Sequence, residues 1–91
     1  MARSLKNPLA FNIVYKKSVN RDLKKLSKAE ARRVIEHLEK DLSKRPETYP
    51  VLRGQFAGLR KYRVGDYRVI YAIIEKDVLV LRIRHRQDIY K

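Results

Sequence analysis

Apolar positions along the chain change their spacing three times, and each change marks an element. Residues Phe11 to Tyr15 (Phe-Asn-Ile-Val-Tyr) are short, aromatic and β-branched, which predicts a first strand. After Ser18, a plausible N-cap, Val19, Leu23 and Leu26 recur at i, i+4 and i+7, the stripe of a short amphipathic helix. Ser27-Lys28-Ala29-Glu30 then matches the S-x-x-E capping box, so a second helix starts there. Its apolar stripe runs through Ala31, Val34, Ile35, Leu38 and Leu42, and Pro46 is expected to stop it. Residues 44–57 lack periodicity and hold Pro46, Pro50 and Gly54, the composition of a connecting segment with Val51 and Leu52 tucked in.

Beyond Gly58 the pattern becomes strand-like in three runs, about 59–64, 67–75 and 78–85. Val64-Gly65-Asp66-Tyr67 supplies a tight turn between the first two, and Glu75-Lys76-Asp77 another between the last two. The predicted order is β-α-α-β-β-β: an α+β fold with two N-terminal helices on a mostly antiparallel four-stranded sheet. Along the last strand Leu79, Leu81 and Ile83 alternate with Arg82 and Arg84, which predicts an apolar face under the helices and an open cationic face.

Composition sharpens this. The 91 residues suit one domain, 1–91, and a 44% hydrophobic fraction suffices for one two-layer core. Twenty-three Lys and Arg against 10 Asp and Glu give a formal net charge of +13, beyond what solubility needs. The excess calls for a nucleic acid or an acidic protein partner. With no cysteine, a disulfide framework and cysteine-ligated metal sites are excluded. The N-terminus lacks an apolar run of signal-peptide length and no window resembles a membrane span, so a cytoplasmic location with no membrane partner is expected.

Charge type differs between the halves. In 16–47, lysines and arginines mingle with six carboxylates at helical spacings, as on a solvated helix face. From Arg53 onward there are seven arginines and three lysines against four carboxylates. Arginine is costly in a strand unless its planar fork faces an anion it can grip in two places. The sheet therefore carries the specific chemistry, with Arg60, Arg63, Arg82 and Arg84 expected to bind RNA phosphates. Tyr62, Tyr67 and Tyr71 read as packing residues rather than base-stacking platforms, and His37 as an exposed helix residue. His85 is a candidate general acid or base because an ordinary imidazole titrates near neutrality. Strand alternation instead groups it with Ile83.

Three strings, Leu52-Arg53-Gly54, Gly58-Leu59-Arg60-Lys61-Tyr62-Arg63-Val64-Gly65-Asp66-Tyr67-Arg68-Val69-Ile70-Tyr71 and His85-Arg86-Gln87-Asp88-Ile89-Tyr90, resemble the RelE/ParE superfamily of bacterial and archaeal toxins, its RelE branch more than its ParE branch. The resemblance implies a ribosome-dependent mRNA interferase, the toxin of a toxin–antitoxin pair. Such an enzyme cleaves A-site mRNA without metal or cofactor, through attack of the ribose 2′-hydroxyl on the adjacent phosphate. The family's catalytic positions fall on Lys61, Arg68, Arg86 and Tyr90, with His85 beside them. Some members carry a second lysine where this chain has Leu59. The partners implied are a cognate acidic antitoxin, the ribosome and mRNA, with the toxin a monomer alone and a hetero-oligomer with antitoxin. Family enzymes often carry a further helix after the tyrosine; with the chain stopping at Lys91, control by displacing it is not expected. Two other readings stay open at this point, a ParE-like inhibitor of DNA gyrase and a non-catalytic nucleic-acid-binding member.

Overall fold

A computed structural model describes residues 10–54 and 57–86. Strand β1 (Asn12–Tyr15) leads into helix α1 (Lys17–Leu23) and helix α2 (Lys28–Leu42); a short 3-10 turn (Pro46–Thr48) follows, then strands β2 (Arg60–Val64), β3 (Tyr67–Ile74) and β4 (Asp77–His85). The sheet order is β1-β4-β3-β2, with β1 parallel to β4 and the other pairs antiparallel. This is the expected α+β fold, two helices on one face of a four-stranded mixed sheet.

The core lies between that face and the helices. Val19 of α1 and Val34, Leu38 and Leu42 of α2 are fully buried against Tyr62, Val64, Tyr67, Val69, Tyr71, Val78, Val80 and Ile83. Each of these aliphatic side chains contributes about 1.5–3 kcal/mol by leaving water. Three tyrosines also join the sheet to α2 through their hydroxyls: Tyr15 donates to Glu39 at 2.6 Å, Tyr67 to Glu30 at 2.9 Å, and Tyr62 to Asp41 and to the His37 carbonyl. Tyr71 donates to the Pro46 carbonyl at 2.6 Å, inside the core. The packing role expected for Tyr62, Tyr67 and Tyr71 holds, and with Tyr15 these side chains engage three α2 carboxylates, Glu30, Glu39 and Asp41, that the sequence presents as surface charge.

Helix starts are resolved locally. The Ser27 hydroxyl accepts the Glu30 N–H at 3.1 Å, satisfying one of the unpaired donors of the first turn of α2. Ser18, by contrast, is not a cap. Lys16 occupies the cap position of α1 without a side-chain bond, and the Ser18 hydroxyl donates to the Leu81 carbonyl at 2.8 Å. Helix α2 ends at Leu42, before Pro46, whose buried ring opens the 3-10 turn instead of terminating the helix. Val51 is also not tucked in: it is 48% exposed, because residues 50–52 pair along the edge of β2 at Val51–Arg60.

The largest correction concerns β4. Tyr71 pairs with Val80 while Ile70 pairs with Arg82, leaving Leu81 as an extra residue, a β-bulge. Before the bulge Val78 and Val80 face the helices and Leu79 faces away, opposite Ala72 and Val14; after it Ile83 faces the helices. Leu79 and Leu81 therefore do not share an apolar face with Ile83. Unbroken alternation would carry the Val78–Val80 side on to Arg82 and Arg84 and bury both cations. The extra residue reverses the parity and brings them to the helix-free face.

Turn chemistry completes the two hairpins. Gly65, first in the β2–β3 turn, has φ +58, a conformation glycine adopts without cost. The β3–β4 turn uses Glu75 at φ +57, where a side chain is strained.

Candidate nucleic-acid interface

The helix-free face divides along the strands. Toward the β1 side and the β3–β4 turn it is apolar, with Val14, Ala72, Ile74 and Leu79. Toward the β2–β3 turn it is cationic. Arg63 on β2 pairs with Arg68 on β3, which pairs with Arg84 on β4, so by register three arginines stand in one row across three strands. The next row is Lys61, Ile70 and Arg82. Side chains directly opposite on one face have Cβ atoms roughly 4.5–5.5 Å apart, and like charges there destabilise the sheet. Arg84 Nε is in addition buried without a hydrogen-bond partner among the described residues. A buried donor left unmade costs about 1–3 kcal/mol, which a bound anion would recover.

Other candidates occupy different places. Arg60 shares the helix side with Tyr71, and its Nη1 donates to the Glu47 and Tyr49 carbonyls at 2.9 and 2.7 Å, so it anchors the 46–49 turn rather than facing outward. Arg82 belongs to the helix-free row by register, but its guanidinium turns round the edge of β4 and grips Asp22 through Nε at 2.9 Å and Nη2 at 3.0 Å. Arg86 is exposed just beyond β4, and its N–H donates to the Asp66 carbonyl at 2.8 Å, which fixes its backbone at the cationic end of the sheet. Lys61 is half-buried and borders a groove of about 250 Å³ with Tyr49, Pro50, Tyr62 and Arg63. Tyr90 lies outside the described residues.

His85 stands apart. Register places it opposite Tyr67, and the two rings meet edge to face at 5.2 Å, on the helix side of the sheet. Its ring thus lies on the opposite side of the sheet from Arg63 and Arg68, as strand alternation indicated.

Sequence reasoning missed Asp22, which the structure shows to be 2% exposed. Both its oxygens bind Arg82, and Oδ2 also accepts the Ile83 N–H at 2.9 Å on the edge of β4 that β1 leaves uncovered. Burial pushes its carboxyl up, but the Arg82 bond, the Ile83 N–H and the charges of Arg82 and Arg84 outweigh this and hold it below the usual carboxylate range. A carboxylate at helical spacing among lysines gave no sign of this. Burial, with the Glu30 bond behind it, raises the Tyr67 hydroxyl, and burial with the Asp41 bond raises Tyr62. Both hydroxyls stay protonated as donors to α2.

Comparison with known proteins bears on the family and the fold. A family model described as ParE toxin of type II toxin-antitoxin system, parDE, matches residues 13–90. Toxin RelG of Mycobacterium tuberculosis is 34% identical over 86 residues, spanning 91% of this chain and 99% of that protein. The RelBE2 toxin-antitoxin complex of Mycobacterium tuberculosis contains a chain 31% identical that superposes with a TM-score of 0.80 over 88% of this chain and 95% of its own. The archaeal RelE-RelB complex of Pyrococcus horikoshii contains one 32% identical, with a TM-score of 0.61 over 85% of this chain and 96% of its own. By sequence and by fold, the chain belongs to the RelE/ParE superfamily of type II toxin–antitoxin toxins.

Proposed function

We propose that this toxin is a ribosome-dependent endoribonuclease that cleaves mRNA in the ribosomal A site without a metal ion, using the helix-free face of its sheet. The observation that carries the reading is the row Arg63, Arg68, Arg84, three arginines in register across β2, β3 and β4 on the face that the helices leave open, where their forks can grip an anion. Its cognate antitoxin is an acidic protein whose carboxylates cover that row.

In the proposed reaction the ribose 2′-oxygen bonds to the adjacent phosphorus as the bond from phosphorus to the 5′-oxygen breaks. The products are a 2′,3′-cyclic phosphate and a 5′-hydroxyl. Negative charge builds on the non-bridging oxygens and the leaving oxygen, and fixed cations lower the barrier there by roughly 2.7–4 kcal/mol per well-placed donor. Arg68, at the centre of the row, clamps the scissile phosphate, and Arg63 and Arg84 bind from the flanking strands. Guanidinium groups hold their protons too tightly to exchange them near neutrality, so they act as electrostatic clamps. Lys61, one row away, is assigned the proton given to the leaving 5′-oxygen while the 2′-hydroxyl proton passes to water, with Arg86 at the open end of the sheet and Tyr90 stacking a base. His85 is given a packing role against Tyr67.

The test is toeprinting on translating ribosomes. A-site cleavage by wild type and its loss in Arg68→Ala is the expected result. Intact mRNA together with gyrase-dependent DNA breaks would overturn the reading in favour of gyrase inhibition, the alternative to which the match with the ParE family model lends weight.

A further inference from the structure

Two hollows lie side by side between α1 and the edge of β4 that β1 leaves uncovered. One, of about 320 Å³, is lined by Lys17, Ser18, Arg21, Asp22, Lys25 and Arg82. The other, of about 180 Å³, holds Asp22, Lys25 and Arg84 beside the apolar walls Leu26, Tyr67 and Ile83, with His85 at its rim. They share Asp22 and Lys25 and so form one trough. At its inner side it meets the helix-free face, since Arg82 and Arg84 belong to both.

The trough is strongly cationic. Lys17 and Arg21 are four residues apart on α1, and Lys25 follows four further on in the turn beyond it; all three are exposed. Like charges at this spacing weaken a helix. The one carboxylate present contributes little opposing field, because Asp22 is 2% exposed and both its oxygens are bonded to Arg82. Arg82 itself keeps 41% of its side chain exposed toward solvent. Four further cations, Lys17, Arg21, Lys25 and Arg84, flank the Asp22–Arg82 ion pair, and no element of the described chain covers the three on α1 and the turn beyond it.

We infer that this trough is a second binding surface for nucleic-acid phosphates, extending the path of a single RNA strand from the Arg63-Arg68-Arg84 row round the edge of β4 to α1. The inference rests on the proposed RNA-binding role of the helix-free face. It assigns to Lys17, Arg21 and Lys25 the grip on the strand outside the scissile bond. The strand leaves the sheet at Arg84, whose side chain lines both surfaces.

The experiment measures salt-dependent binding of 2′-O-methyl RNA, which lacks the attacking hydroxyl, to wild type, to Lys17→Gln/Arg21→Gln/Lys25→Gln and to Arg68→Gln. Oligonucleotides of about 12 and about 3 nucleotides are compared, the longer within the usual span of single-strand sites. Each phosphate contact contributes about 0.7 to the slope of log K against log salt on single strands, so the triple variant should lose about 2 from the slope for the long strand. For the short strand, which the arginine row suffices to hold, it should lose almost nothing, whereas Arg68→Gln should weaken both. An unchanged long-strand slope in the triple variant, with Arg68→Gln still weakened, overturns the trough alone. If Arg68→Gln binds both strands like wild type, the helix-free-face reading fails instead. Loss of binding to a glutamate-rich peptide without loss of RNA binding would assign the trough to a protein partner and overturn the proposal. If the triple variant melts early, Lys25→Gln alone decides, with an expected loss of about 0.7 for the long strand only.

Discussion

Arg68 and Arg84 are cross-strand partners on the helix-free face of the sheet, two like charges held in register by β3 and β4. In a sheet built for stability alone such a pair is unfavourable. Arg68→Ala is expected to abolish growth inhibition and lower single-turnover A-site cleavage by about 10²-fold or more, with the fold retained in circular dichroism. Full toxicity at equal expression would exclude Arg68 from the site.

His85 packs against Tyr67 on the other side of the sheet from that pair. His85→Gln should leave the cleavage rate within about threefold of wild type and keep the shape of its pH profile, an amount too small for a lost acid or base, which contributes about 10²–10⁴-fold. Loss of one limb of the pH–rate profile would restore a catalytic role.

Asp22 links pH to stability. Its carboxyl is held below the usual range in the folded chain, so its contribution is fully present above the unfolded value of about 3.9 and disappears as pH falls through the lower folded value. Asp22→Asn should cost about 2–3 kcal/mol at neutral pH, leaving Arg82 unpaired, and should flatten the acid limb of the stability curve. Equal acid sensitivity of variant and wild type in urea melts would contradict this.

Tyr62→Phe removes the hydroxyl that donates to Asp41 and to the His37 carbonyl. A loss of about 1–2 kcal/mol is expected in denaturant titration, with cleavage unaffected, since the hydroxyl is on the helix side. A matching loss of cleavage would place Tyr62 in the site.

Glu75 occupies a left-handed turn position at φ +57. Glu75→Gly should stabilise the β3–β4 hairpin by up to about 1 kcal/mol, relieving the strain at the expense of some unfolded-chain entropy. A lower melting temperature would show that the entropy term dominates.

The sequence by itself determined the element order, the second helix with its Ser27 start, both hairpins, and the concentration of arginine in the last three strands. These features depend on contacts within a few residues, on side-chain period and on turn chemistry, which a linear string displays. Alternation within β4 also set Arg84 against Ile83, whereas Lys61 and Arg68 were marked only by the family resemblance. Which cations share that face was decided only by tertiary structure. Arg60 resembles Arg63 in the string, yet lies on the helix side capping carbonyls of the 46–49 turn, and Arg82 is drawn round the edge by Asp22, sixty residues earlier in the chain. The bulge at Leu81 is the clearest case. No local pattern marks it, because it arises where β4 passes from pairing with β1 to lying against α1, and Ser18 there takes the Leu81 carbonyl. One extra residue reverses the parity of the strand end, and that reversal, set by the packing of distant segments, is what places Arg84 opposite Arg68.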